Sequence, residues 1–346
     1  MTMRRCLAAV LPVLSILSLQ GCSSNGTTKP VVTQANADRA AIQGLIAAAP
    51  EFAVSFDDDG QLDGDATSPI AAPVLAQSGQ TDSTAIIPTH WGRWRIPPHH
   101  PPTVTVTFLE PPDTTHALVK VNVKFDGWFF VDLIDDGIRN PGKKPLLDQK
   151  TRYALFKKIW FHPDSTSDDS LFGWRLVAVS PAEFSMIDPA RQTVAIHSVT
   201  FTGASTHITI TDPAQLLSLG HTAALLPLFR QGETVKVEAA VTNTDHGYAP
   251  PTFVYLHAPV AEHAMPLARD WQRIFMYDDG THGDVTAGDG VYSTDWTVRG
   301  FRRHHIALDV LNSRCLQNET ADDYNSTTWA IPYTSYPSFL PPPPTP

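Results

Sequence analysis

The chain has little of what stabilises small secreted domains, and few of the motifs that reveal an enzyme. Only three of its 346 residues are cysteines, and Cys6 lies in a segment that we expect to be removed, so no disulfide framework is available. The patterns Gly-x-Ser-x-Gly and His-Glu-x-x-His are absent, as is a phosphate-binding glycine loop. We therefore expect a protein stabilised by its cores, without the chemistry that those motifs mark.

Positive charge is also scarce. Lys and Arg number 25 against 35 Asp and Glu, a formal net charge of -10, which disfavours nucleic acid as a partner. The 30 prolines favour extended loops and strand edges over long helices. We therefore expect a mainly β protein, long enough for two domains.

Residues 1–21 have the features of a bacterial export signal. Arg4 and Arg5 precede an apolar run that is too short to stay in a bilayer as a spanning helix. The run leads into Leu19-Gln20-Gly21-Cys22, which resembles the lipobox of bacterial lipoproteins. An ordinary secretory signal with an incidental cysteine is the alternative.

The resemblance implies that Cys22 is acylated and becomes the first residue of the mature protein. Several acyl chains on one residue hold a protein on a membrane without a transmembrane helix. Ser23, where an Asp would signal retention, resembles the outer-membrane sorting pattern. We therefore expect a lipid-anchored envelope protein, in the outer membrane, with residues 22–35 as a flexible tether.

Residues 36–193 are predicted to form an α+β domain with one helix and an antiparallel sheet. Between Asn36 and Pro50, the apolar residues Ile42, Leu45 and Ile46 lie at helical spacing. Stretches that alternate apolar with polar residues follow from Val104 onward. With Gly173-Trp174-Arg175-Leu176 in the last strand, this order resembles cystatin-like domains and those of the nuclear transport factor 2 type. Such folds can hold a ligand pocket, for which the aromatic candidates are Trp128, Phe130, Trp160 and Trp174.

The stretch from His90 to Pro102 combines three histidines, two tryptophans and several prolines. It allows a zinc site or a sugar-stacking surface through Trp91 and Trp94. However, no Cys or acidic residue accompanies the histidines, and the prolines favour an extended path. We therefore predict a packed loop anchored by the two tryptophans, at one edge of the first domain.

Residues 194–335 carry seven short strand signals separated by turn residues. That pattern is typical of an antiparallel β-sandwich of the immunoglobulin or fibronectin type III class. The remaining residues, 336–346, are proline-rich and are predicted to form a disordered or polyproline tail.

The most patterned stretch of the chain is Tyr277–Ser293, which predicts a connector between two of these strands. Its Asp-Asp-Gly-x-x-Gly-Asp-x-x-Ala-Gly-Asp-Gly-Val-Tyr-Ser pattern resembles a segment of immunoglobulin-like domains in secreted bacterial surface proteins, which implies a fold and a location but no reaction. Four glycines allow a tight turn, and four carboxylates lie within it: Asp278, Asp279, Asp284 and Asp289. Such a set suits Ca²⁺, the one cofactor that the sequence suggests. The alternative is a set of turns in which each Asp accepts backbone N–H bonds.

The sequence therefore predicts a non-enzymatic envelope lipoprotein whose β-sandwich is an interaction or spacer module. Its partner would be the membrane through Cys22 and an envelope protein or glycan. The alternative is a ligand-binding or hydrolytic N-terminal domain with an aromatic-lined pocket.

Overall fold

The computed structural model describes residues 34–49, 52, 90–96, 101–109, 115–133, 140–159, 173–219, 226–247, 250–259, 271–299 and 302–339. The predicted leader, with most of the tether and of the tail, lies outside these residues. Within them the chain forms an α-helix, fifteen β-strands and a short 3-10 helix.

The elements follow one another in a mainly β order. The helix α1 spans Gln34–Ala48. The strands are β1 His90–Ile96, β2 Thr103–Leu109, β3 His116–Asp132, β4 Gly142–Lys158, β5 Trp174–Met186, β6 Val194–Thr202, β7 His207–Ile210, β8 Leu217–Ser218, β9 Leu228–Arg230, β10 Thr234–Asn243, β11 Thr252–Pro259, β12 Trp271–Met276, β13 Val291–Thr297, β14 Arg302–Asn312 and β15 Ser326–Tyr336, with the 3-10 helix at Ser313–Leu316.

Eleven strands form one large curled sheet. Its main order is β1-β3-β4-β5-β15-β14-β11-β12, with β2 added to β3, β8 to β5 and β9 to β15. The pairs are antiparallel apart from β9 and β15, which run parallel. The prediction of a mainly β chain with one helix and antiparallel sheets is thereby confirmed.

Helix α1 packs on the face of this sheet to which the odd residues of β3 point. Ile42 and Ile46, one turn apart, are 0% and 6% exposed and join a core with β3, β4 and β5. Burying each isoleucine contributes about 1.5–3 kcal/mol. Asp38, on the same side of the helix, accepts bonds from Lys158 Nζ and from Trp174 Nε1, each at 3.1 Å. The helix is therefore held by its apolar side and by one buried carboxylate.

A second sheet, in the order β13-β10-β6-β7, packs against β11, β14 and β15. Along β10 the alternate residues Val235, Val237, Ala239 and Val241 point into the shared core. Trp296 lies at the centre, fully buried, with its ring edge-on to Phe229 at 5.7 Å and to Tyr333 at 5.2 Å. The alternating pattern predicted for this region is thus seen in β10, whose apolar face is buried between the two sheets, whereas β11 is buried along its whole length.

The predicted boundary between residues 193 and 194 falls in the short connection from β5 to β6. Across it, β15 pairs with β5, with Thr328 opposite Phe184 and Ala330 opposite Ala182. Strands from both sides of the boundary thus belong to one hydrogen-bonded sheet.

Two local expectations from sequence need correction. Residues 90–96 of the predicted packed loop form β1, an edge strand paired along its whole length with β3. The sequence also predicts that the strand beginning at Gly173 ends at Ser180-Pro181, but β5 continues to Met186. The pairing with β4 shifts register there, and Ser180 Oγ accepts the Tyr153 N–H at 2.9 Å. A bulge therefore tolerates the proline, which has no N–H to donate.

Candidate functional site: the aspartate-rich loop and the polar interior

The aspartate-rich loop joins β12 to β13 and is closed at its base by a reciprocal backbone bridge. The Tyr277 N–H donates to the Ser293 carbonyl at 2.9 Å, and the Ser293 N–H donates back at 2.8 Å. The four glycines of the loop, Gly280, Gly283, Gly288 and Gly290, all have positive φ, as predicted. At Gly290 a Cβ atom would also lie 2.9 Å from the Val241 carbonyl oxygen. The tight path therefore requires glycine there.

Asp278 organises the second half of the loop by accepting three backbone bonds. Its Oδ1 accepts the N–H of Gly288 at 2.6 Å and that of Asp289 at 3.2 Å. Its Oδ2 accepts the Gly290 N–H at 3.0 Å. One carboxylate thus satisfies three successive amides that the turn leaves without strand partners.

Two more aspartates cap backbone donors in the same way. Asp284 Oδ2 accepts the Gly280 N–H at 2.6 Å, and Asp289 Oδ1 accepts the Val291 N–H at 2.9 Å. These are the hydrogen-bonded turns that the sequence left open as the alternative to a cation.

The same three carboxylates also converge. One oxygen each from Asp278, Asp284 and Asp289 lies within 4.8 Å of the others, a spacing compatible with one Ca²⁺, whose oxygen ligands lie at about 2.4 Å. Asp279, the fourth predicted ligand, is outside this group. Its carboxylate instead accepts from Thr281 Oγ1 at 2.7 Å and contacts His282 Nδ1 at 2.8 Å.

The pKa shifts of Asp278 and Asp279 have opposite directions. Burial and the nearby Asp284 carboxylate raise the pKa of Asp278, although its three backbone bonds oppose the rise. Burial alone would also raise the pKa of Asp279, but its bonds from Thr281 and His282 outweigh that effect and lower it. A cation would stabilise the charged form of Asp278. The converging group therefore fits a hard cation better than the Asp279 pair does.

The aromatic residues proposed for a ligand pocket lie on different faces of the large sheet. Trp174 packs beside α1, in the core that contains Phe125, and is 7% exposed. Trp128 is 38% exposed, and Phe130 shares its face, because both have the opposite parity to Phe125 along β3. The three rings therefore do not line one cavity. Trp160 lies outside the described residues.

The two tryptophans of β1 also separate. Trp91 is buried against Phe129 and Tyr255, with ring centroids 5.7 Å and 5.2 Å away. Trp94 points the other way and is 42% exposed. Only Trp94 is thus accessible for stacking.

A set of charged residues that no sequence pattern marks lies inside the protein. Arg93 forms a two-pronged pair with Asp309 of β14, at 2.7 Å and 2.8 Å, with the side chains 3% and 0% exposed. Thr328 Oγ1 donates to the same carboxylate at 3.0 Å, and His257 Nε2 lies 3.4 Å from it. Burial by itself raises the pKa of Asp309, but Arg93 and His257 hold it far below its ordinary value.

A second buried pair involves Arg95, two residues further along β1. Arg95 donates through Nε and Nη2 to Asp148 Oδ2 at 3.1 Å and 2.9 Å. Tyr324 Oη donates to the same oxygen at 3.0 Å and bonds to Ser326 Oγ at 2.7 Å. The Arg95 guanidinium also lies 4.6 Å from the centre of the Phe184 ring. These contacts fix both charges within the interior.

The thiol of Cys315 is buried beside the fully buried Lys144. Lys144 Nζ donates to Asp323 at 2.6 Å and to the Cys315 carbonyl at 2.7 Å. The thiol contacts the Asn312 carbonyl at 2.8 Å, and burial raises its pKa to about 12. It is therefore neutral at physiological pH, as expected for a structural cysteine.

Comparisons with protein-family models, curated proteins and solved structures give no match for this chain. In the part of the chain that the structure describes, no helix has the length and apolarity needed to cross a membrane. The function must therefore be argued from the residues themselves.

Proposed function

We propose that this protein is a non-enzymatic lipoprotein of the cell envelope, anchored by acyl chains on Cys22. Its second half, residues 194–335, acts as an immunoglobulin-like β-sandwich that serves as an interaction or spacer module. The lipobox pattern supports the anchor, and the packing of β6, β7, β10 and β13 over β11, β14 and β15 supports the sandwich.

The observation that carries the proposal is the internal pairing of the charged groups. Arg93, Arg95, Asp148 and Asp309 are each no more than 3% exposed. Each arginine is paired with a carboxylate, so these groups neutralise one another and are inaccessible to a substrate. A catalytic acid or base must instead reach the atom whose proton it moves.

The sheet shared by the two halves supports a spacer role. Strand β15 joins β5 on one side and β14 on the other, so force or movement at one half passes through backbone hydrogen bonds to the other. Domains joined by linkers alone move relative to one another by default. A continuous sheet would hold the module at a fixed orientation relative to the first half of the chain.

Metabolic labelling tests the anchor. In cells fed an alkyne analogue of palmitate, the wild-type protein is expected to carry label and to fractionate with the outer membrane. Cys22→Ala should remove the label, whereas Cys315→Ser, which changes the other cysteine expected in the mature chain, should keep it. Ser23→Asp should keep the label and move the protein to the inner membrane. Label on Cys22→Ala equal to that on wild type would contradict the proposal.

A separate measurement tests the non-enzymatic part. Purified protein is incubated with panels of ester, glycoside and peptide substrates, and no turnover is expected. An activity that elutes with the protein from a size-exclusion column, at constant specific activity across the peak, would contradict it.

Calcium binding by the aspartate-rich loop is a second candidate function. It is favoured by the convergence of Asp278, Asp284 and Asp289. In this role the cation would stiffen the β12–β13 connection, and the thermal-stability experiment in the Discussion tests it.

A further inference from the structure

Two exposed tryptophans stand side by side on the outer face of the large sheet. Trp94 of β1 lies directly opposite Trp128 of β3 in the antiparallel register, so both rings project from the same face. They are 42% and 38% exposed, while Trp91, Trp174, Trp296 and Trp329 are buried. Leu147 of β4 is 48% exposed and pairs with Asp126, so it lies on this face as well. Together Trp94, Trp128 and Leu147 form what we call the aromatic platform.

Gly127 allows the two strands to approach closely enough to form this platform. A Cβ atom at Gly127 would lie 2.1 Å from the Trp94 carbonyl oxygen, which no side chain could tolerate. The glycine therefore fixes the spacing between β1 and β3 at the point where both tryptophans emerge.

A cleft with both polar and apolar lining continues from the platform along the same face. It has a volume of about 310 Å³, and its lining combines the apolar Pro101 and Ile187 with five polar side chains, those of Thr103, Asn122, Lys124, Asp126 and Gln149. Asp126 precedes Trp128 by two residues, so the cleft begins about 7 Å from Trp128 along β3, directly beside Leu147. The Asn122 amide oxygen accepts from Thr151 Oγ1 at 2.8 Å, which fixes the amide orientation.

We propose that the platform and the cleft form a binding site for a neutral oligosaccharide. The C–H faces of pyranose rings are apolar and stack on flat indole rings, whereas the hydroxyl groups need donors and acceptors at the ring edge. The cleft supplies both through amide, hydroxyl, ammonium and carboxylate groups.

The charge and size of the site favour this ligand class over others. Lys124 and Asp126 balance within the cleft, so the lining favours neither an anionic nor a cationic ligand. Its volume lies at the lower end of the range for small-molecule sites, about 300–1,000 Å³. An apolar protein partner would leave the polar groups of the cleft without hydrogen-bond partners.

This inference goes beyond the proposed function, because the site lies on β1 to β4 and needs neither acylation nor the sandwich module. Its test can fail while the lipoprotein assignment stands, and the reverse also holds.

Isothermal titration calorimetry tests the proposal. The full-length protein, in a detergent without a sugar headgroup, is titrated with hexamers of β-1,4-linked glucose and of β-1,4-linked N-acetylglucosamine at millimolar concentration. We expect at least one to bind. Trp94→Ala and Trp128→Ala should each weaken binding by about tenfold, as expected for one lost aromatic stack. Trp128→Phe should recover part of the loss. Phe339→Ala, which removes an exposed ring that belongs to neither the platform nor the cleft lining, should bind like wild type.

Unchanged thermal midpoints in the alanine variants establish that they fold. Absence of binding to both hexamers overturns the proposal, and so does binding that neither tryptophan substitution weakens. Size-exclusion chromatography with light scattering tests whether a second copy of the chain occupies this face instead. If the wild type is a dimer that Trp128→Ala dissociates and neither sugar binds, the face is an interface between copies, and the glycan proposal is wrong.

Discussion

The buried pair of Arg93 and Asp309 makes a quantitative prediction about stability. Asp309→Asn keeps the shape of the side chain but removes the charge that Arg93 faces at 2.7 Å and 2.8 Å. Because the arginine is 3% exposed, water cannot replace the lost partner. Breaking a buried ion pair costs about 3–5 kcal/mol, and we expect the free energy of unfolding to fall by that amount.

Removing both charges is expected to cost much less. In the double variant Arg93→Met and Asp309→Leu, apolar side chains fill the space and the two opposite charges are removed together. The Thr328 hydroxyl loses its acceptor, which costs about 1 kcal/mol. We therefore expect the double variant to be nearer to wild type than Asp309→Asn by about 2 kcal/mol or more.

Urea unfolding followed by tryptophan fluorescence and by circular dichroism measures these differences. The paired residues are 216 positions apart and belong to β1 and β14, so both signals should change in one transition. A loss below about 1 kcal/mol for Asp309→Asn, or a double variant as unstable as that single variant, would refute the reasoning.

The pH dependence of the free energy of unfolding tests the direction of the Asp309 pKa shift. The folded pKa of Asp309 is depressed by Arg93 and His257 against the opposing effect of burial. Its contribution is therefore complete above the unfolded pKa, about 4, and is lost as the pH falls below that value toward the folded pKa. Between about pH 4 and pH 2 the wild type should lose stability more steeply than the double variant.

Three further predictions follow from single sites. Millimolar Ca²⁺ should raise the melting temperature by several degrees over chelator, since a ligand at 100 times its dissociation constant adds about 2.7 kcal/mol of stability. Asp278→Asn should abolish the shift, and Asp279→Asn should keep it. No shift in the wild type would mean that the loop consists of hydrogen-bonded turns without a cation. Gly127→Ala should lower unfolding free energy by about 1–3 kcal/mol and speed hydrogen exchange in β1, while Gly44→Ala, with nothing within 4 Å of its Cβ position, should not destabilise. The Cys315 thiol should resist iodoacetamide in the native protein and react fully in urea, as mass spectrometry of its peptide would report; rapid native labelling would contradict its burial.

Local patterns predicted much of the secondary structure. The helix near Asn36, the alternating stretches from Val104 onward and the seven strand signals after residue 193 all correspond to observed elements. These features depend on neighbouring residues, because amphipathic periodicity and turn-forming residues act within a few positions. Three strands after residue 193 were missed. Strands β8 and β9 have two and three residues, too few to carry a measurable period, and β15 is buried on both faces along most of its length, so it shows no alternation.

Pairing between distant strands was not predictable in this way. The join between β5 and β15 links residues more than a hundred positions apart, and no local signal marks it. The predicted boundary after residue 193 was drawn from a change in pattern along the chain, which contains no information on which strands later share a sheet.

For the aspartate-rich loop, the local sequence by itself determined the turn conformation. Its aspartate side chains accept from backbone donors that lie at most twelve residues away, so its glycines and aspartates specify the turn locally. Only the exclusion of Asp279 from the converging carboxylates depended on the tertiary structure. Strand β1 is the opposite case. Its residues Trp91 to Ile96 place Arg93 and Arg95 inside and Trp94 outside, against the usual preference for apolar burial. That orientation depends on the Asp309 and Asp148 carboxylates, 216 and 53 residues away, which only the tertiary structure brings to the arginines.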